Sequence, residues 1–307
     1  MFLRLPILQK ETRAHNTHSS TAIEGNPLTL AQVKAIDRGE ETGTPQKYEQ
    51  EVSNYLKAMR WIEKNSQKQI TEKILLKLHK TIMGGLLPGP KPGRYKEKQN
   101  YIVNEKNIKI YSPPSPEQTP KLTKHLLAWL NSKDTQELHS IITCAILHYQ
   151  LASIHPFSDG NGRIARLLGT YVLYQKGFDN QHIFSLDDFF AGNRKMYYLK
   201  LEQARELDED ITAWIEYVAE GVVQTLRKVK KRIEDLQVES QAQISITPRQ
   251  EDILRLLRDN PALRGNELTK QLKISRARLN QIITPLIKND LVIKEGKRRA
   301  TRYRLKL

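Results

Sequence analysis

SIHPFSDGNGRIARLL, residues 153–168, brings a histidine, an aspartate, two glycines and two arginines together at the edge of an apolar run. Pro156 disfavours helix at His155 and predicts that a preceding helix ends near Ile154. Phe157 is expected to anchor the turn in the core. Asp159-Gly160-Asn161-Gly162 supplies residues tolerant of positive φ, whose backbone N–H groups can converge into an anion-binding nest. Arg163 is expected to open a second helix, whose N-terminus adds orphan donors and the positive end of its dipole. Arg163 and Arg166 are three apart, on one helical face, and can bridge successive phosphates. His155 is suited to accept a proton near neutral pH. Asp159 is the kind of single carboxylate that holds Mg2+ while phosphate oxygens and water fill its other positions. A base, a cation and fixed positive charge are the parts that attack on a phosphate requires.

Other anion-binding patterns fit less well. Gly160-Asn161-Gly162-Arg163-Ile164-Ala165 has the spacing of the dinucleotide fingerprint G-x-G-x-x-A, but that motif follows a strand. The preceding LHSIITCAILHYQLASI is too long and too helically periodic to be one. A Walker A loop needs G-x-x-x-x-G-K-[ST], which is absent from the chain. A hydrolytic metal centre on His148, His155 and Asp159 would lack a convincing further ligand. His79, His125, His139 and His148 are read as packing residues, since none has the company of His155.

The elements that must position this stretch are helical by pattern, and the expected fold class is all-α. Segments 46–64, 71–83, 117–131, 137–154, 163–176 and 208–233 carry apolar residues at three-and-four spacing. Between 88 and 116 the period stops. PGPKPGRY reads as a loop, YIVNEKNIKIY as a short hairpin and SPPSPEQTP as a proline-rich return to helix. A hairpin beside the glycine-rich stretch suits an extended ligand as well as it suits a plain connection. The chain turns polar through EDLQVESQAQIS, residues 234–245, and a linker is read at 236–245. Beyond it, helices at 248–258, at 265–272 and from 275 precede two short strands around a basic turn, a pattern that resembles a winged helix-turn-helix module over 246–307. Ser275 is its third helix's N-cap, with Arg276, Arg278, Asn280 and Gln281 on the early turns and Lys297, Arg298 and Arg299 at the wing tip.

The bulk composition bounds these readings. A chain of 307 residues, 38% of them apolar, is long enough for two domains. The formal charge is +16, and residues 246–307 hold 16 Lys and Arg against 6 Asp and Glu, which points to a polyanion partner such as DNA. No apolar stretch reaches the roughly 20 residues of a membrane span, and MFLRLPILQK lacks a cleavage-site pattern, so a cytoplasmic protein without membrane contact is expected. Cys144, the single cysteine, rules out an internal disulfide and is expected to be a buried thiol within IITCAIL.

HPFSDGNGRIAR, residues 155–166, is similar at every defined position to the Fic family signature H-P-F-x-[DE]-G-N-G-R-x-x-R. QNYIV followed by YSPPSPEQTPKLTKHLLAWLN resembles the family's flap and the segment leading into its next helix. NRKMYYLKLEQARELDEDITAWIEYV resembles its C-terminal helices. The resemblance implies a Fic helical bundle, with N-terminal helices at 1–70 and a catalytic core at 71–235 that carries a flap hairpin at 93–112. It also implies an enzyme that transfers AMP from ATP to a Ser, Thr or Tyr hydroxyl of a target protein or of the chain itself, with Mg2+ as cofactor. On the matching positions, His155 would deprotonate the hydroxyl and Asp159 would bind the metal. Gly160, Asn161 and Gly162 would hold phosphate oxygens, and Arg163 and Arg166 would neutralise the β- and γ-phosphates. Asn100, Tyr101, Ile102 and Val103 would be the flap, pairing with nucleotide and target, and Tyr197 would lie near the adenine. Arg205 stands where some members have asparagine, and Val103 where glycine is frequent.

Upstream, Ser20-x-x-x-Glu24-Gly25 in SSTAIEGN resembles the inhibitory-helix motif [ST]-x-x-x-E-[GN] of one subclass. This implies that Glu24 pairs with Arg166 and denies the γ-phosphate its partner. In some relatives the same glutamate serves removal of AMP. Other members transfer UMP, phosphate or phosphocholine, and the complete G-N-G-R with its second arginine favours AMP. The expected partners are ATP, the target protein, DNA or else a protein at the winged helix, and a second copy of the chain as a homodimer. The rival reading is a DNA-binding regulator whose Fic domain senses ATP.

Overall fold

The computed structural model of the chain describes residues 5–86, 92–103, 108–206, 210–243, 246–260, 262–289, 291–296 and 301–306. It divides into two compact units, Phe2–Lys230 and Lys231–Leu307. The first begins with α1 (Leu5–Ile23), α2 (Leu30–Arg38), α3 (Gln46–Lys64) and α4 (Glu72–Met83). A two-stranded antiparallel hairpin follows, β1 (Ile102–Val103) and β2 (Lys109–Tyr111), in the register Ile102↔Tyr111 and Val103↔Lys109. Then come α5 (Thr119–Leu130), α6 (Lys133–Glu137), α7 (Ser140–Ile154), α8 (Asn161–Gln175), α9 (Asp187–Gly192), α10 (Arg194–Glu206) and α11 (Thr212–Gln243), whose residues from Lys231 on belong to the second unit.

α7 and α8 form the central hairpin of this unit, and their burial follows from their composition. α7 is apolar on nearly every face and α8 is buried along almost its whole length, as a helix without a polar stripe must be. Leu147, Leu151, Phe157, Ile164, Leu168 and Tyr171 are fully enclosed in a core that also takes Tyr55, Met59 and Ile62 from α3. The turn between the two central helices is thus carried on deeply buried helices.

Three boundaries differ from the pattern-based expectation. The helix read over 137–154 starts only at Ser140, because Leu138 is extended and the His139 ring caps α7 by accepting the Ile141 N–H. α8 starts at Asn161 rather than Arg163, because Gly160 at φ 78° turns the chain straight into the helix. The run read as a linker continues as α11 through Gln243. Glu, Gln, Lys, Leu and Ala propagate helix well, and polarity alone does not break one.

The second unit holds α12 (Pro248–Asp259), β3 (Leu263–Arg264), α13 (Gly265–Leu272), α14 (Arg276–Lys288), β4 (Val292–Glu295) and β5 (Arg302–Leu305). Its sheet is three-stranded and antiparallel, in the order β3-β5-β4, with Leu263↔Tyr303 and Glu295↔Arg302 in register. The expectation had only two strands there; β3 is two residues long, too short to show a period. Ile253, Leu257, Leu268, Leu279, Ile283, Leu286, Val292 and Tyr303 close its core. Lys297, Arg298 and Arg299 lie outside the described residues, as do 104–107 of the flap.

Candidate active site

His155 terminates α7 in the left-handed region at φ 51° and ψ 59°, with its N–H on Leu151 O at 3.0 Å. A non-glycine residue holds that conformation only where its surroundings over-determine it. The ring Nδ1 lies 3.2 Å from Ala152 O. A carbonyl only accepts, so Nδ1 carries the proton and Nε2 keeps its lone pair. Burial, assisted by the charges of Lys96 and Arg205 and opposed by the Ala152 bond and Glu24, pulls the imidazole down to about 4. At neutral pH it is therefore an unprotonated base.

The loop after it is braced from behind. Phe157 is fully buried and stacks on His79 at 3.6 Å between ring centroids. His79 accepts the Gly93 N–H on Nδ1 at 2.9 Å and donates from Nε2 to Asp159 O at 2.9 Å, and burial holds it neutral by pulling it to about 4. Asn161 accepts the Phe157 N–H at 2.9 Å and donates to Phe157 O at 2.7 Å. Its side chain is thus committed to the loop, leaving only its backbone N–H for an anion. Gly160 is the N-cap of α8 and offers no capping side chain, so the first N–H groups of the helix are left for a ligand. A Cβ built on Gly162 would overlap Glu24 Oε1 and lie 3.1 Å from Arg166 Nη1.

Asp159 sits at the lip, its side chain 52% exposed. Its Oδ1 accepts from the Gly160 N–H at 2.5 Å and Arg163 Nη2 at 3.1 Å. A half-exposed carboxylate beside an anion cradle fits Mg2+ whose remaining positions are phosphate oxygens and water. Among the described residues no group of three or more His, Cys, Asp or Glu is arranged to hold a metal unaided. In particular His148 does not join His155 and Asp159. It is buried against the Tyr197 hydroxyl at 2.9 Å and, like the packing histidine it was read as, is pulled by burial to about 3.

The two arginines do not point together as spacing suggested. Arg163 reaches Glu51 on α3 as well as Asp159, and its buried Nε has no partner among the described residues. Arg166, 1% exposed, turns to the end of α1. Its Nε donates to Ser20 Oγ at 2.8 Å and its Nη2 to Ser20 O at 2.9 Å and Glu24 Oε1 at 2.6 Å. Long side chains from one helical face have diverged to separate carboxylates. Burial works against the Arg166 charge, but Glu24, Tyr197 and Asp187 more than offset it and hold the guanidinium ionised. Gly25, at φ 94°, stops α1 so that Glu24 stands at its end. α1 is docked by Ser19 Oγ on Asp188 at 2.6 Å and His15 on the same carboxylate at 3.1 Å.

Tyr197 is not an open wall for a base. It is 1% exposed, its hydroxyl 3.4 Å from Arg166 Nη1. The outward ring is Tyr198, 39% exposed and covered by the Arg194 guanidinium at 5.4 Å. Burial and then Glu24 raise the Tyr198 hydroxyl. In the flap, Asn100 donates to Phe157 O at 2.9 Å, while Tyr101 and Val103 are exposed and Ile102 is half-buried. Arg205 lies over the Tyr111 ring at 4.7 Å and donates to Ala152 O at 3.4 Å.

Sequence reasoning missed Glu51, Tyr198 and the bracing role of His79. Glu51 had a readable signal, since 51, 55, 58 and 62 are the buried register of α3 and a carboxylate in that register needs a cation. Cys144 is buried as expected, and burial pushes its thiol up to about 12. Among the described residues no helix is long and apolar enough to cross a membrane.

In the second unit, Arg276, Arg278, Asn280 and Gln281 are all exposed on the first turns of α14, which Ser275 caps by accepting the Arg278 N–H at 3.2 Å. Arg278 donates to Gln281 Oε1 at 3.1 Å. The Arg276 guanidinium lies on the bare backbone of Gly265, where any Cβ would overlap it.

Comparison with known proteins accords with both units. Residues 69–173 match the Fic/DOC family, and residues 246–293 match the winged helix-turn-helix DNA-binding family. The protein adenylyltransferase Fic of Aedes aegypti is 31% identical over 228 residues, 71% of this chain and 42% of that protein. Its counterpart in Nematostella vectensis is 33% identical over 223 residues, 71% of this chain and 48% of that protein. The chain spans less than half the length of these curated relatives. A solved Fic family protein from Desulfovibrio desulfuricans is similar at a TM-score of 0.69 and 26% identity, covering 98% of this chain and 88% of that one. A Fic domain containing signaling protein from Bacteroides thetaiotaomicron gives 0.65 and 27%, covering 73% and 88%. With the intact signature seated on the turn between the two central helices, residues 69–173 form a Fic domain, and residues 246–293 match a winged helix-turn-helix.

Proposed function

We propose that the protein is an adenylyltransferase that moves AMP from ATP to a Ser, Thr or Tyr hydroxyl of a protein or of itself, and that Glu24 holds it inhibited. The observation that carries this reading is Arg166, buried beside an uncapped helix N-terminus next to a neutral histidine and already taken by Glu24. In the active state His155 Nε2 accepts the hydroxyl proton, the oxygen forms a bond to the α-phosphorus, and the bond from that phosphorus to the bridging oxygen breaks, releasing pyrophosphate. The N–H groups at the start of α8 bind phosphate oxygens, and Arg166, once free of Glu24, neutralises the leaving group. Asp159 would hold Mg2+, which supplies charge neutralisation at the phosphates. Abundant ATP and Mg2+ make the cytoplasm the natural compartment.

Labelled ATP with Mg2+ tests this directly. Glu24→Gly is expected to label a protein acceptor more strongly than wild type, and His155→Ala to label none. Equal labelling in all three would defeat the proposal. Mass spectrometry of the Glu24→Gly protein after incubation with ATP identifies the transferred group and any self-modified residue.

A second reading, supported by the exposed basic turns of α14 and the family matched at 246–293, is DNA binding by the C-terminal unit. Mobility shift across a salt titration tests it, because phosphate contacts weaken steeply with salt.

A further inference from the structure

Lys96 is a buried lysine that the chemistry above does not use. The residue is 3% exposed. Its backbone N–H donates to Pro156 O at 3.0 Å, directly after His155, and its Nζ donates to Asn100 Oδ1 at 2.8 Å. Asn100 in turn donates to Phe157 O at 2.9 Å. Lys96 therefore closes a ring of bonds from the segment before β1, through the start of the flap, to Pro156 and Phe157 of the signature loop. Its hydrogen-bond partner is a neutral amide. Burial pulls its ammonium down to about 8, and among the described residues no carboxylate pairs with it. A lysine buried in this way is normally replaced by an apolar residue or paired with an acid.

The consequence falls on His155. The groups that act on its imidazole are the Ala152 carbonyl on α7, Lys96 before β1, Arg205 on α10 and Glu24 at the end of α1. Of the charged ones, Lys96 and Arg205 disfavour protonation and Glu24 favours it. Removal of Glu24 from the site, as the inhibited state gives way, leaves the two cations unopposed.

We propose that Lys96 is a positioning residue for the reaction, fixing the start of the flap on the signature loop and holding its ammonium next to the turn that carries His155. It acts through Asn100 and His155 and touches no reacting atom. The proposal rests on the adenylyltransferase reading for its effect on rate, though not for its effect on the histidine.

The test compares Lys96→Met and Lys96→Arg in the full chain carrying Glu24→Gly. The His155 titration is followed by NMR of histidine-labelled protein, assigned by its loss in His155→Ala. Lys96→Met is expected to raise the His155 midpoint by about one pH unit, the size of a single lost like charge, and Lys96→Arg to restore it. In the AMP-transfer assay, Lys96→Met should move the acidic limb of kcat/KM upward by the same amount and raise KM for the acceptor several-fold. Lys96→Arg should rescue both. An unchanged His155 midpoint in folded Lys96→Met overturns the proposal, as does equal impairment of the Met and Arg variants. If the midpoint moves as expected while no variant transfers AMP, Lys96 keeps its role toward the histidine and the enzymatic reading is what fails.

Discussion

α8 and α14 each carry a pair of basic residues on the first turns of a helix, and the two units treat them in opposite ways. Arg163 and Arg166 are 7% and 1% exposed, each tied to a named carboxylate from another helix. Arg276 and Arg278 are exposed, and their contacts among the described residues are to a glycine backbone and a neutral glutamine. A buried arginine cannot be left unpaired at low cost, so its partner must be exchanged for another anion, and binding becomes a competition. Exposed arginines surrender only counterions, and their binding is set by salt. The first arrangement suits one ligand of fixed geometry, the second an extended polyanion.

The largest expected effect concerns the buried pair's neighbour. His155→Ala in a Glu24→Gly background should lower AMP transfer by about 10²–10⁴-fold, the usual worth of a positioned base; retention of transfer would remove the histidine from the chemistry. Next, Glu24→Gly should tighten Mg·ATP binding by about 10–100-fold, since a charged hydrogen bond of about 1.5–3 kcal/mol no longer competes for Arg166. Calorimetry that found equal affinities would end the idea of exchange at this arginine.

Acid should also separate the two regions. All eight histidines precede residue 231. His148 is held to about 3 when folded but titrates near 6.5 unfolded, so below pH 6.5 the unfolded chain binds more protons and stability falls as pH drops. For this fully buried ring the loss is about 2 kcal/mol by pH 5. His79 and His155 act in the same direction. Asp187, pushed up to about 6 by burial, acts oppositely and softens the fall. Trp61, Trp129 and Trp214 are all in the first unit, so thermal unfolding followed by their fluorescence reads that unit alone. A midpoint independent of pH between 7 and 5 would contradict this, and His148→Gln should flatten the slope. The smallest effect is at α14. Arg276→Ala with Arg278→Ala should weaken DNA binding several-fold and lower the salt slope by about 1 per lost phosphate contact. An unaltered slope would place the DNA contact elsewhere.

Much of this was readable from residue order, for reasons that differ by element. The turn at His155 was legible because proline and glycine constrain the backbone locally, and Glu24 because its motif is short and contiguous. The partner of Arg163 was not, since Glu51 lies 112 positions away and only packing of α3 on α8 brings them together. The outward ring of Tyr197 and Tyr198 depends on how α10 is rotated, which two adjacent tyrosines do not reveal. The end of α11 was missed because a polar helix and a polar linker share a composition.

Gly162 serves two demands at once. The helix needs an unencumbered N–H there for an anion, and Glu24 needs the space a methyl group would take. Its backbone lies in ordinary helical space, so alanine is excluded by the glutamate and not by strain. Positions 24 and 162 are therefore expected to vary together across descendants of this chain. A lineage that loses the glutamate is released from the glycine, and one that first acquires alanine at 162 has already loosened its own inhibition.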